Sequence, residues 1–540
     1  MAIGFDGFAL NIGDSTLPWV SVTLNSLFSH ARTRGFKLFV SMDVYAAGDA
    51  CYKGGKSCNG PFDYQWIWDA WKGDSAYYLV NGKPLITTFS SGGFHNDTWL
   101  KWKSDLANDM FFMPDFDETG GYYKSAPEWW AYWGDIVDGI FSWETAWPER
   151  DGYGGKFPGD VSIDITTLKG AHAHEKLYMM GLSPLQYKDS YGANVYRPGD
   201  INLPIRMEGI LAMNPPPDFV QFQTWNDGPE SHYIGNLWSE QNTDVQPDLY
   251  ANDVYWPHQA WQSLVSSFID AYKNGKNIRQ MTPQDGSLAV GAAWYRVVMP
   301  DTAVCSSEGQ GKYYDKPDGF TDGLNALYFS MVVNPSIAPG YTVVIDAGGE
   351  VKTWEYPVTP GLNIMYSDFA VRPGAQKIQL KDPSGNVVMS VSGGMCVSTS
   401  CPTLVYASNY QVLPLVKGDQ SKSCRTWPLD ALSSTSSSPA PTPTPTSPPA
   451  PPPIPTNWAS LGNSVTLNMC GFTCNAVTPI LDEKKIRSYC QTWVDDAYVQ
   501  RSFVFFSNNL NSLTPSNRKI EKEEADHVLL MTAVRRTIFS

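Results

Sequence analysis

No stretch of the 540-residue chain approaches the ~18 to 20 consecutive apolar residues of a membrane-spanning helix, so no membrane partner is expected. Positive charge is scarce too. The 39 lysines and arginines face 54 aspartates and glutamates, a net charge of −15 that repels phosphate backbones and anionic surfaces and excludes nucleic acid as a natural partner. The opening residues, Met1 to Leu10, have neither the basic n-region nor the cleavage site of a secretory leader, and read as a buried strand that begins abruptly.

Aromatic rings, by contrast, are plentiful. The 20 Trp and 28 Tyr exceed what a core of this size commonly needs, and many sit in loop-like contexts where flat faces suit neutral, ring-shaped ligands. Nine cysteines are present. Cys51 and Cys58 close a short Gly/Lys loop with little to bury, and a disulfide is expected there. Cys305, Cys396, Cys401 and Cys424 make a second even set whose pairing the spacing leaves open. With the sequon Asn96-Asp97-Thr98, these cysteines point to an oxidising, extracellular setting.

A chain of this length predicts two or more domains. Up to about residue 275, short apolar runs alternate with amphipathic stretches such as Leu17 to Arg34 and Asn96 to Leu106, the pattern of repeated β-α units on a parallel sheet. The runs are Gly4 to Ile12, Phe36 to Val44, Pro84 to Phe89, Met110 to Asp115, Val137 to Trp143, Lys176 to Leu182 and Phe219 to Trp225. They are one short of a (β/α)8 TIM-like barrel; either a strand hides near Pro204 to Leu211, or the first strand is lacking, and the second is favoured. Residues 276–432 change to short alternating segments with turns, an antiparallel β domain that is a packing module or an accessory sugar-binding sandwich. Residues 433–456, with Pro-Thr-Pro-Thr-Pro-Thr at their centre, form a disordered Pro/Ser/Thr linker, and 457–540 is a tail of unclear fold.

Polar residues cluster just after the strands: Asn11 and Asp14, Asp43 and Tyr45, Ser90, Asp115, Asp117 and Glu118, Glu144, then Asp227 and Glu230. In a barrel these positions share the rim where active sites lie, although each acid alone equally suits a helix cap or a solvated loop. Asp43 ends the buried run Phe39 to Met42, where burial raises a carboxyl pKa unless a partner holds the charge. Asp227 and Glu230 flank the turn Gly228-Pro229, which folds one acid back beside the other, among Trp225, Asn226, His232 and Tyr233. Two carboxyls of unlike pKa, one donating a proton and the other activating water or attacking the sugar, are what cleavage of a glycosidic bond asks for. His172 and His174 with Asp227 suggest a rival metal set, but both histidines precede the strand Lys176 to Leu182 and belong at the opposite face.

Gly7 to Gly13, Phe39 to Asp43, Pro114-Asp115-Phe116, Trp143-Glu144-Thr145-Ala146-Trp147 and Trp225 to Ser231 together resemble glycoside hydrolase family 71, the fungal α-1,3-glucanases or mutanases, over about residues 1 to 430. The resemblance implies endo-type hydrolysis of the cell-wall polymer α-1,3-glucan with inversion, no cofactor and no metal, by a monomer in the extracellular space or cell wall. It places the essential carboxyls on Asp43, Asp227 and Glu230: Glu230 as general acid, Asp227 as the base for water, and Asp43 positioning the sugar. Asn11, Tyr45, Asp115, Trp143, Glu144, Trp225, Asn226, His232 and Tyr233 are the expected substrate contacts. Similar proteins usually begin with a leader and a further strand and helix, so an incomplete gene model or an N-terminally shortened product is expected here. The alternative is a non-catalytic, glucan-binding wall glycoprotein derived from such an enzyme.

Overall fold

The structure, a computed structural model, describes residues 3–150, 154–238, 245–401 and 403–426, and the backbone of 464–469, 472–477, 502–506 and 530–531. The linker 433–456, Cys470, Cys490 and the charged run 518–524 lie outside the described residues.

Each of the seven apolar runs forms a strand. The first two, β1 (Gly7–Ile12) and β2 (Lys37–Asp43), are buried almost throughout and pair in parallel, Gly7 opposite Lys37 and Ile12 opposite Met42. Continuous burial is the mark of a sheet covered on both faces. Between them runs α1 (Pro18–Arg34), with proline in its first turn, two arginines in its last, and Gly35 ending it at φ 62°. Its buried residues Val20, Leu24, Phe28 and Ala31 recur every three or four positions and make the face that packs on the sheet.

After α2 (Val44–Tyr52) and α3 (Gln65–Trp71), the short β3 (Leu79–Val80) pairs antiparallel with β4 (Lys83–Phe89), which pairs in parallel with β2. The α/β pattern continues through α4 (Asn96–Asp105), β5 (Phe111–Met113), α5 (Pro127–Trp133), β6 (Gly139–Ser142), α6 (Ser162–Ala173) and β7 (Leu177–Leu182). A hairpin of β8 (Gln186–Ser190) and β9 (Ala193–Arg197) interrupts it before α7 (Asn202–Ala212) and β10 (Phe219–Gln223); α8 (Val245–Asp248) and α9 (Gln262–Lys273) close the region.

The parallel strands therefore lie in two runs, β5-β4-β2-β1 and β10-β7-β6. Backbone bonds from Asp138 N to Phe112 O (2.8 Å) and Phe141 N to Pro114 O (3.0 Å) tie the β5 and β6 segments together. Seven parallel strands do not make a complete (β/α)8 barrel. The stretch from Pro204 to Leu211 is no hidden strand, since it lies within α7. The place between β1 and β10 is taken by a segment from far along the chain, Ser502–Phe506, antiparallel to both, with Phe503 opposite Phe8 and Phe506 opposite Phe219.

From β11 (Ala289–Arg296) the architecture is antiparallel. β12 (Tyr328–Val333), β15 (Gly361–Tyr366) and β18 (Tyr410–Pro414) join β11 in one sheet, ordered β15-β12-β11-β18. β13 (Thr342–Ala347), β14 (Glu350–Thr353), β16 (Gln376–Lys381), β17 (Val387–Val391) and β19 (Val416–Lys417) form the other. Their shared core includes Phe329, Met331, Ile345, Ile378 and Leu380. Strand β11 serves two cores. Ala289, Ala293 and Tyr295 face the sandwich, whereas Val290, Ala292 and Trp294 join the core of the α/β region. Disulfides Cys305–Cys401 and Cys396–Cys424 brace the β region, and Cys51–Cys58 closes the loop after α2. Among the described residues no helix is long and apolar enough to cross a membrane.

Candidate active site

The C-terminal ends of the parallel strands carry the polar residues. At the end of β1, Asn11 donates from Nδ2 to Asp43 Oδ2 at the end of β2 (3.2 Å), and both side chains are buried. The other oxygen, Asp43 Oδ1, accepts the Ala46 amide (2.8 Å) and so caps α2, fixing the carboxylate at a helix N-terminus that favours negative charge. Tyr64 donates its hydroxyl to the carbonyls of Ile12 and Gly13 at 2.8 and 2.6 Å, clamping the β1 end against this pair. The next residue but one, Tyr45, stands out from α2 with 67% of its surface exposed.

Tyr45 borders a cleft of about 270 Å³ lined also by Phe89, Ser90, Asp115, Asp117, Glu118 and Glu144. Its acids are held in unlike ways. Asp115 is 1% exposed, and neither of its carboxyl oxygens accepts a hydrogen bond from an amide, hydroxyl or cationic donor among the described residues. Burial, then the charges of Asp117, Glu118 and Glu144, hold its carboxyl well above the ordinary range. Asp117 accepts from the Tyr123 hydroxyl and from the amides of Trp143 (3.1 Å) and Glu144 (3.0 Å), yet burial and the Glu144 charge still push it up to about 7. Glu118 is bound by Ser90 Oγ (2.9 Å) and the Ser91 amide (2.5 Å). Glu144 pairs with the buried guanidinium of Arg197 at 2.5 Å.

Beyond β10, the turn through Gly228 and Pro229 brings Glu230 back beside Asp227, as its amide donates to Asp227 Oδ1 (3.0 Å). Between the two carboxyls sits the wholly buried His232, with Nε2 at 3.1 Å from Glu230 Oε2 and 3.5 Å from Asp227 Oδ2. Thr224 Oγ1 lies 3.2 Å from its Nδ1, and the rings of Trp147 and Trp143 wall it at 5.3 and 6.4 Å. Gln186 Nε2 donates to Glu230 Oε2 (2.9 Å), and Lys188 Nζ lies 3.8 Å from Oε1. Arg197 Nη1 reaches both Glu144 and Gln186 Oε1 (3.4 Å), so a continuous polar chain runs from the cleft acids to Glu230. One oxygen each from Asp227 and Glu230 and one His232 nitrogen lie within 4.8 Å of one another, the one set among the described residues spaced to hold a cation.

Of the residues expected from the sequence, the strand ends thus carry Asn11, Asp43, Tyr45, Asp115, Glu144, Asp227, Glu230 and His232. Tyr233 requires correction. It is wholly buried, stacked on His258 at 4.0 Å with its hydroxyl on Trp256 O (2.6 Å), and is a core residue rather than a sugar contact. Trp143 is 9% exposed and packs edge-on behind Phe89 at 5.3 Å. Trp225 meets Phe5 edge-on (6.3 Å) and covers Gly235, where an added Cβ would come within 2.3 Å of the indole; Asn226 is buried beside it. The histidine pair lies apart from Asp227: His172 binds Asp218 (2.9 Å), which precedes β10, and His174 stacks on Trp130. Phe89 and the hairpin residues Gln186, Lys188 and Arg197 escaped the sequence reading. The turn Tyr191-Gly192 between two short alternating runs was the available signal for that hairpin.

Comparison with known proteins adds independent findings. A family model described as Glycosyl hydrolase family 71 matches residues 1–424. A mutanase of Penicillium rubens is 28% identical over 435 residues, covering 78% of this chain and 84% of that protein. A glucan endo-1,3-alpha-glucosidase of Schizosaccharomyces pombe is 28% identical over 288 residues, 51% of this chain and 60% of that one. Among solved structures, a GH99 endo-alpha-mannosidase from Bacteroides thetaiotaomicron overlays 49% of this chain and 75% of its own at 14% identity and a TM-score of 0.36.

Proposed function

The chain belongs to glycosyl hydrolase family 71, and from that premise we propose that it hydrolyses α-1,3-glucosidic linkages in fungal wall glucan with inversion at the anomeric carbon. The proteins named mutanase and glucan endo-1,3-alpha-glucosidase support the choice of substrate. The observation that carries the mechanism is the Asp227–His232–Glu230 cluster at the end of β10, joined by its polar chain to an acid-lined cleft. Glu230 is the general acid. It is the more open of the two carboxyls, with 17% of its side chain exposed against 4% for Asp227, so it is the one able to reach a leaving oxygen. Losing its proton leaves a negative charge that Gln186 and Lys188 are placed to stabilise. Asp227 is the base that activates water, and Asp43, braced by Asn11 and the α2 amide, positions the sugar. The three disulfides fit an extracellular enzyme.

The cluster sets a condition. An inverting pair stands roughly 6.5 to 9.5 Å apart to admit a water. Oxygens of Asp227 and Glu230 lie within 4.8 Å, both beside His232. The mechanism therefore needs the incoming sugar to draw Glu230 off His232 and widen the gap.

The stereochemistry of the first-formed product tests this. Proton NMR of α-1,3-oligosaccharide hydrolysis should show the β-anomer first; an initial α-anomer rules inversion out. Glu230→Gln should lower turnover by about 10²- to 10⁴-fold while the protein still sediments with insoluble α-1,3-glucan. A Glu230→Gln enzyme keeping most of its rate removes that residue from the mechanism. Binding without release of reducing sugar by the unaltered protein would favour a non-catalytic wall protein.

A further inference from the structure

We propose that helix α2 carries the cleft outward as a seat for further units of the same polymer, with Tyr45, Gly48 and Tyr52 forming a track on which sugar rings stack. The proposal rests on the α-1,3-glucan reading. Tyr45 and Tyr52 are seven residues apart, two helical turns, so they project within about 20° of each other, roughly 10.5 Å apart along the axis. Both stand in water, at 67% and 90% exposure, while Val44, Ala47 and Ala50 bury the opposite face.

Gly48 lies between them on the same face. A Cβ built there meets nothing within 4 Å, and its backbone lies outside the positive-φ glycines, so neither crowding nor conformation calls for glycine. Glycine inside a helix is destabilising relative to alanine. What its bareness provides is a flat floor between two rings. Tyr45 stands at the cleft end of that floor and Tyr52 at the other end of the helix. The Lys53–Asp49 ion pair (2.8 Å) runs alongside with donors and acceptors for hydroxyl groups.

The track is also firmly mounted. The Cys51–Cys58 disulfide ties down the helix end, and Gly55 N donates back to Ala50 O (2.8 Å). At the other end Tyr45 is part of the cleft wall, so one ligand passes from cleft to track without a break. Aromatic faces are the usual platform for pyranose rings, and a polymer has neighbouring rings to place there where a short oligosaccharide has few.

The experiment compares kcat/KM on insoluble α-1,3-glucan and on a short α-1,3-oligosaccharide for the unaltered protein, Tyr52→Ala, Gly48→Leu and, as a control, Tyr356→Ala, a ring beyond β14 as exposed as Tyr45. Tyr52→Ala and Gly48→Leu should each depress polymer turnover about fivefold more than oligosaccharide turnover, with weaker sedimentation on glucan; Tyr356→Ala should match the unaltered protein. Thermal melts check that the variants fold, and Gly48→Ala should raise the midpoint. Equal polymer-to-oligosaccharide ratios in all four proteins overturn the track. An unaltered protein that cleaves neither substrate instead overturns the α-1,3-glucan reading, and the track with it.

Discussion

Substitution can separate the capping role of Asp43 from the role in the site that we propose for it. As the cap of α2 it needs only an oxygen, which asparagine also supplies; as a site acid it needs a charge. Asp43→Asn is expected to keep its thermal midpoint while losing most glucan hydrolysis, whereas Asp43→Ala should lose hydrolysis and about 1 kcal/mol of stability in denaturant melts. Asp117, pushed to about 7 by burial and Glu144, ionises as pH rises through neutrality and adds charge to an already anionic cleft. Glucan hydrolysis should therefore fall above about pH 7, and Asp117→Asn should flatten that limb of the pH–rate profile. Acids at the ends of buried strands were legible in the sequence because such runs leave a carboxylate few places to go. Tyr233 was not, since an aromatic beside a catalytic motif suits core and cleft equally, and its burial depends on His258 and Trp256, more than twenty residues away. Arg197 was illegible for the same reason: its partner Glu144 lies 53 residues earlier.

The seven parallel strands could be read directly, because strands covered on both faces are mostly apolar, with few polar residues such as Ser41 and Gln221 among them. The helix α7 was less plain. Pro204 looks like a helix breaker, yet it stands in the first turn, where backbone N–H groups lack helical partners and proline's missing donor costs nothing. The segment Ser502–Phe506 looks like a strand by composition, but nothing in its sequence names β1 and β10 as its partners. Strands β11 and β12 escaped notice because burial on both faces removed the polar–apolar alternation expected of a sandwich. Trp294 on β11 measures that joint burial. It is 1% exposed, donates from Nε1 to Asp200 O (2.7 Å) and stacks near Tyr328. Trp294→Ala should cost about 3 to 5 kcal/mol, and circular dichroism and tryptophan fluorescence melts of the variant should shift together.

Across the whole molecule, buried carboxyls set the response to pH. Burial raises Asp6 to about 7 and Asp189 to about 8, and Asp115, Asp164 and Asp200 move the same way. A carboxyl raised on folding favours the native state while protonated, and that contribution is lost as pH climbs from the ordinary carboxylate range through the folded value. His258, lowered to about 4 by burial, acts oppositely below about pH 6.5. The carboxyls outnumber it, so the unfolding midpoint should drop between pH 6.5 and 8.5, and Asp189→Asn should make that drop shallower; a midpoint that rises over this interval contradicts the assignment. The double-sided strand β11 also limits where the chain can be divided. Because alternate residues of one strand belong to different interiors, a recombination event that exchanged the sandwich for another module would strip Val290, Ala292 and Trp294 from the neighbouring interior. A gene fragment ending before β11 should therefore yield insoluble product.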